Sequence, residues 1–252
     1  MRLSTAAATL GAMLTAQPLL AQSLAERVNA APAGFVRMSY PAREGVCSQG
    51  SDRPRDQRVN VDWIRDCEDG PVRVQLEKDA ARIVGVSSYV GGRWQPRENV
   101  TDLGDVGAQD ASEFLLDLAA SALPTVAEDA LLPAVIANAP DPWRRLLALA
   151  RDRALHANVR NQAIFWLGQS AAGDATAGLA ALAAGNETTE VQKAAVFALS
   201  QRDDPDRIEQ LIRVARTHSN PQVVRAAFFW LAQSEDPRAV DLFEKILSNA
   251  DR

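Results

Sequence analysis

VRNQAIFWLGQ, residues Val159–Gln169, returns as VQKAAVFALSQ at Val191–Gln201 and as VVRAAFFWLAQ at Val223–Gln233, a step of 32 residues each time. The same step aligns Leu179/Leu211/Phe243 and Leu182/Val214/Ile246 further on. Self-similarity at a period of roughly 30–47 residues marks stacked helical units, each too apolar to stand alone, which bury their oily sides on one another. At 100° per residue, Val159, Ala163 and Trp166 cluster on one side of the first helix. The column Asn161/Lys193/Arg225 lies opposite as a narrow wet stripe. The predicted repeat core is Val159, Ala163, Leu167, Val191, Ala195, Leu199, Val223, Ala227 and Leu231. Its alanines suit close helix approach, so large replacements there should be poorly tolerated.

Punctuation places the same boundaries. Asp204-Pro205 and Asp236-Pro237 supply a capping side chain and a helix-opening proline, Asn220-Pro221 does so for the third copy, and Thr188 stands one repeat before Asn220. Upstream, Glu128–Ala139 and Trp143–Arg151 read as a divergent fourth unit, although Pro133 falls on the Phe165 column and breaks the pattern. A helix is expected from Ala108 to Ala122, stopped by Pro124.

Residues 34–95 have another texture. Phe35–Tyr40, Val72–Leu76 and Arg82–Val90 read as strands of a small antiparallel sheet, with Glu77–Ala81 closing a hairpin. Residues 96–107 read as a connecting loop and residues 22–33 as a mobile polar lead-in. Arg2, the uncharged stretch Leu3–Leu20 and Ala21 read as a secretory signal peptide over residues 1–21, cut after Ala21. Export to the periplasm or exterior of a bacterium is therefore expected, with no membrane span after cleavage. In that compartment Cys47 and Cys67, the sole cysteines, are expected to form a disulfide. The expected fold is mainly α: helical repeats over residues 108–252, preceded by a small disulfide-tied antiparallel β region.

The repeats resemble HEAT repeats of the short, phycobilin-lyase type, on the column Val191, Ala195, Leu199, the Asp204-Pro205 turn and the apolar positions Ile208, Leu211 and Val214. The layout is also similar to exported bacterial HEAT-repeat proteins with a small Cys-containing β region in front. That resemblance implies an α-solenoid whose second helices line a concave binding face. The outward residues of those helices, Glu209, Arg213, Arg216, Asp241, Glu244 and Lys245, form the candidate partner-binding face, beside a smooth run of Ala177, Ala181 and Ala184. Ordinary i,i+4 pairing of Glu209 with Arg213 and of Asp241 with Lys245 is the bland account of the same charges.

Chemistry is not signalled. An enzymatic branch of HEAT-like proteins holds iron with His-Glu pairs, but His156 and His218 are followed by Ala157 and Ser219. No phosphate loop, dinucleotide fingerprint or zinc-protease helix occurs, so no catalytic residue, metal or cofactor is assigned. A net charge of -5 speaks against a nucleic-acid partner. The leading expectation is a scaffold or adaptor that binds another protein or peptide. The alternative is a ligand-binding or sensory subunit with a pocket where the β region meets the first helices, near Trp63, Trp94 and Trp143. The ladder Gln169/Gln201/Gln233 reads either as helix ends bonded to the turn or the next repeat, which is preferred, or as amides offered to a ligand. Trp166, Trp230 and Phe228 read as packing between helices.

Overall fold

The computed structural model describes residues 22–47 and 69–250. Cys67, Trp63 and the segment read as a signal peptide lie outside the described residues. So does the Cys47–Cys67 bridge, which stays an expectation.

Residues 22–33 depart from the expectation of a mobile lead-in, because Leu24–Ala30 forms helix α1. Ser23 and Glu26 make a reciprocal capping box: the Ser23 hydroxyl accepts from the Glu26 N–H, and the Ser23 N–H donates to the Glu26 carboxylate at 2.9 Å. Leu24 and Val28 are buried beneath it. The Ser-x-x-Glu signature was present in the sequence, masked by its polar surroundings.

Among the described residues four strands follow: β1 (Gly34–Tyr40), β2 (Val72–Asp79), β3 (Arg82–Val90) and β4 (Val100–Asp105), in the order β3-β2-β1-β4. The β1–β2 and β2–β3 pairs are antiparallel, but β4 runs parallel to β1, which corrects the purely antiparallel expectation. β4 also replaces part of the connecting loop foreseen over residues 96–107. Its sequence, VTDLGD, hid it, since Asp and Gly are poor strand formers and the strand exists only through β1. The inward set Val36, Met38, Tyr40, Val72, Val74 and Leu76 is buried, and the Tyr40 hydroxyl donates to the Pro133 carbonyl at 2.8 Å.

Nine helices then run in sequence among the described residues: α2 (Ala108–Ser121), α3 (Pro124–Val135), α4 (Trp143–Arg151), α5 (Ala157–Gly168), α6 (Asp174–Ala184), α7 (Thr189–Ser200), α8 (Asp206–Thr217), α9 (Pro221–Gln233) and α10 (Pro237–Ala250). All nine predicted core residues on α5, α7 and α9 are buried, with Val159, Val191 and Val223 at 1%, 1% and 0% exposure. Capping side chains open three equivalent helices: His156 on α5, Thr188 on α7 and Asn220 on α9. Pro124 opens α3 rather than only ending α2, and Pro133 is housed in the last turn of α3.

The phase of the repeat differs from the sequence reading. The most intimate pairs are α2 with α3, α4 with α5, α6 with α7 and α8 with α9, whereas α5 with α6 and α7 with α8 touch less. Each hairpin therefore starts one helix earlier than expected, and the divergent unit is α2/α3 rather than α3/α4. A period fixes the step between copies but carries no mark of where a unit begins. Packing depth decides that.

Two rows result. α3, α5, α7 and α9 form one, and α4, α6, α8 and α10 the other, with α5, α7 and α9 stacked more closely than the second row. Small residues allow it: a Cβ on Gly168 would meet the Ala198 Cβ at 3.0 Å.

Polar staples hold successive hairpins. Arg160, 5% exposed, donates to the Ala150 carbonyl at 2.9 Å and pairs with Glu187 at 2.5 Å. Gln192 repeats the first bond one unit later, donating to the Gly185 carbonyl at 2.7 Å. Burial pushes the Glu187 carboxyl upward, but the hydrogen bond and charge of Arg160, with help from Arg153, outweigh it and hold the group below its ordinary value. A carboxylate lowered in the fold stabilises fully above its ordinary pKa, and that contribution disappears as pH falls through the lowered one. Urea melts from about pH 7 to about pH 3 should therefore show stability falling in acid, with Glu187→Gln less stable at neutral pH and flatter in the acid limb. An equal acid slope in both proteins would dismiss this pair as the cause.

Candidate binding face

The residues nominated on the second helices are all exposed: Glu209, Arg213 and Arg216 on α8, and Asp241, Glu244 and Lys245 on α10. Glu209 and Arg213 meet at 3.3 Å as an ordinary exposed helix pair. These residues lie on the looser row, beside the exposed Ala177, Ala181 and Ala184 of α6.

The closer row presents something different. Positions spaced i, i+4 and i+8 fall within about 80° of one helix face, and here they read Asn161-Phe165-Gln169, Lys193-Phe197-Gln201 and Arg225-Phe229-Gln233. Three columns weighed separately in the sequence thus share one face. Phe165 and Phe229 are 43% and 55% exposed, and Phe197 is half-buried. Trp166 and Trp230 support them: Phe165 meets Trp166 edge-on at 5.0 Å, Phe229 meets Trp230 edge-on at 4.9 Å, and Phe197 lies 5.0 Å from Trp230 across the α7–α9 seam. Trp230 and Phe228 do pack between helices, Phe228 against Phe243 at 6.0 Å.

The glutamines do not bond neighbouring repeats as preferred from sequence. Gln169 and Gln201 stand just beyond α5 and α7 and Gln233 ends α9, all exposed, and the Gln201 amide reaches only Ser200 at 3.1 Å. The face is also poor in acid. Along α5, α7 and α9 the sole carboxylate is Glu190, which sits 3.6 Å from Lys193. Asn161 departs from the wet-stripe expectation, since its Oδ1 is buried without a hydrogen-bond partner.

An open depression of about 450 Å³ lies at the α7–α9 end of this face, lined by Lys193, Gln222, Arg225, Ala226, Phe229 and Trp230. Where the β region meets the first helices, an open depression of about 490 Å³ is lined by Arg82 and Ile83 of β3 and by Phe114, Leu118 and Leu123 among others. A smaller cavity of about 170 Å³ is lined by Arg43, Val46, Asp141 and Trp166 among others, below the ~300 Å³ at which small-molecule sites usually begin. Neither Trp94 nor Trp143 lines either of them. Trp94 stacks under the Arg37 and Arg73 guanidinia, at 4.7 and 5.4 Å, and Trp143 under that of Arg144, at 4.5 Å. Among the described residues no group of three or more His, Cys, Asp or Glu side chains is placed to hold a metal. No helix among them is long and apolar enough to cross a membrane.

Residues 144–227 match the HEAT-repeat family. The match begins in α4 and ends in α9, so it covers the three hairpins in the phase that packing defines. Over those residues the helices are similar to HEAT repeats, a class that generally serves as protein-interaction scaffolding. No curated protein matches the chain.

Proposed function

We propose that this protein is an exported, non-catalytic scaffold or adaptor of the bacterial cell envelope, and that it holds a partner protein on the α5–α7–α9 face. The observation that carries the reading is that face: an acid-poor aromatic column on three stacked helices, exposed at Phe165 and Phe229 and half-buried at Phe197. Exposed aromatic side chains backed by packed neighbours are the usual anchors of protein interfaces. The stack is read as a short α-solenoid with the closer row inside its bend, because helices converge on the inner side of a curved array. Export rests on Arg2 and the apolar stretch Leu3–Leu20, and in that compartment Cys47 and Cys67 would tie the loop between β1 and β2.

The test is crosslinking in cells, followed by identification of captured proteins, with three forms of the full chain. Phe165→Ala with Phe229→Ala should lose a partner that the unchanged protein captures, while unfolding free energy drops by no more than about 1 kcal/mol. Arg213→Glu with Arg216→Glu, on α8, should retain it. Loss by the α8 variant alone would transfer the binding face to the looser row.

A second reading, a ligand-binding or sensory subunit, draws on the depression between β3 and α2 and on the smaller cavity beside Trp166, both where the β region meets the helices. A shift of tryptophan emission with a small molecule, abolished by Trp166→Phe, would favour it over the scaffold.

A further inference from the structure

The depression between α7 and α9 has a one-sided chemistry. Its polar lining consists of the Lys193 ammonium, the Arg225 guanidinium and the Gln222 amide, and no carboxylate lines it. Its apolar wall is Phe229 and Trp230, in edge-on contact with each other, and the small side chain of Ala226 also lines it. Arg225 is exposed and forms no ion pair among the described residues. Lys193 has only Glu190, at 3.6 Å in an exposed i,i+3 pair that solvent and salt screen. Cations gather here although the whole chain carries 32 acids against 27 bases.

We infer that this depression is an anchor for an acidic peptide segment, in which an apolar side chain packs on the wall formed by Phe229 and Trp230 and a neighbouring carboxylate meets Arg225 and Lys193. The inference rests on the scaffold reading and names its partner chemistry. A guanidinium offers a carboxylate two parallel N–H donors, so Arg225 gives orientation as well as charge. Aromatic walls with cations also suit single-stranded nucleic acid. Two cations on an acidic protein supply little of the phosphate neutralisation that such binding draws on, which favours the peptide.

The test measures fluorescence anisotropy of a labelled synthetic peptide alternating Leu and Phe with Glu, titrated with the purified full chain. Its Lys-substituted counterpart and labelled oligothymidylate are run alongside. The Glu peptide should bind, with affinity that falls as salt rises. Arg225→Glu and the charge-removing Arg225→Gln should each weaken it, the former by about tenfold or more, with both variants melting like the unchanged protein. Arg213→Glu on α8 should bind as before. No binding of the Glu peptide, equal binding of the Lys peptide, or preference for oligothymidylate overturns the inference. If Phe229→Ala abolishes binding while both Arg225 variants retain it, the acidic occupant falls and the face survives. If none of these substitutions matters, both fall together.

Discussion

Replacing Arg202 with alanine should lower the unfolding free energy by about 3–5 kcal/mol, the range found when one partner of a buried charged network is removed. Arg202 is 5% exposed and sits just beyond the end of α7. Its guanidinium reaches back into the turn between α5 and α6, donating to the carbonyls of Leu167 at 3.2 Å, Ser170 at 2.9 Å and Ala172 at 2.8 Å. Its Nε donates to the Thr176 hydroxyl at 2.6 Å, and that hydroxyl donates onward to Asp204 at 2.6 Å. The Thr176 bond, the N–H of Asp206 and the Arg202 charge hold the Asp204 carboxyl below its ordinary value against its partial burial. Alanine would leave the Ser170 carbonyl without its donor, those of Leu167 and Ala172 with a backbone N–H alone, and a carboxylate without its cation. Urea denaturation is the measurement. A loss under about 1 kcal/mol would mean that water replaces the guanidinium, and that this staple does not hold the hairpins together.

Lys78→Met should cost about 3 kcal/mol and free α1 from the sheet. Lys78 closes the inward-facing alternation Val72, Val74, Leu76, Lys78, and its ammonium is buried at 4% exposure. It donates to three carbonyls at the end of α1: Val28 at 2.8 Å, Asn29 at 3.0 Å and Ala31 at 2.6 Å. A cation there satisfies helix-end carbonyls that have no partner within the helix and opposes the negative end of the helix dipole. Methionine fills the space with a similar chain but supplies no donor, so the loss reports the hydrogen bonds, each worth about 1.5–3 kcal/mol when charged. Hydrogen exchange would localise the effect: protection should vanish in α1 while α7 keeps its own. Unchanged protection in α1 would show that Leu24, Val28 and the Arg27 bond to the Leu103 carbonyl suffice to dock it.

Neither residue could be chosen from its column or its pattern. Arg202 has Ser170 and Ser234 at the equivalent positions, so no repeat alignment singles it out. Lys78 looked like the polar start of a hairpin turn, because a strand's alternation says which face a side chain points to but not what covers that face. The Phe165/Phe197/Phe229 column was visible at once, yet helical angles alone placed it on the flank of a mostly buried helix. Its exposure depends on there being no further helix layer over α5, α7 and α9 among the described residues, and only packing reveals that. The acid-poor character of those helices was also legible, once it was known that they form one row.

What the amino-acid order settled by itself was local and periodic. The 32-residue recurrence, the apolar columns Val159/Val191/Val223 and Leu167/Leu199/Leu231, and the caps at Thr188 and Asn220 follow from side-chain chemistry within one turn or one copy. The tertiary structure decided the pairing: which helix joins which in a hairpin, which row packs closer, and whether β4 exists at all. Those outcomes turn on contacts between distant residues, where small side chains such as Gly168 and Ala198 let backbones approach and buried donors such as Arg202 and Lys78 find carbonyls far away in the chain.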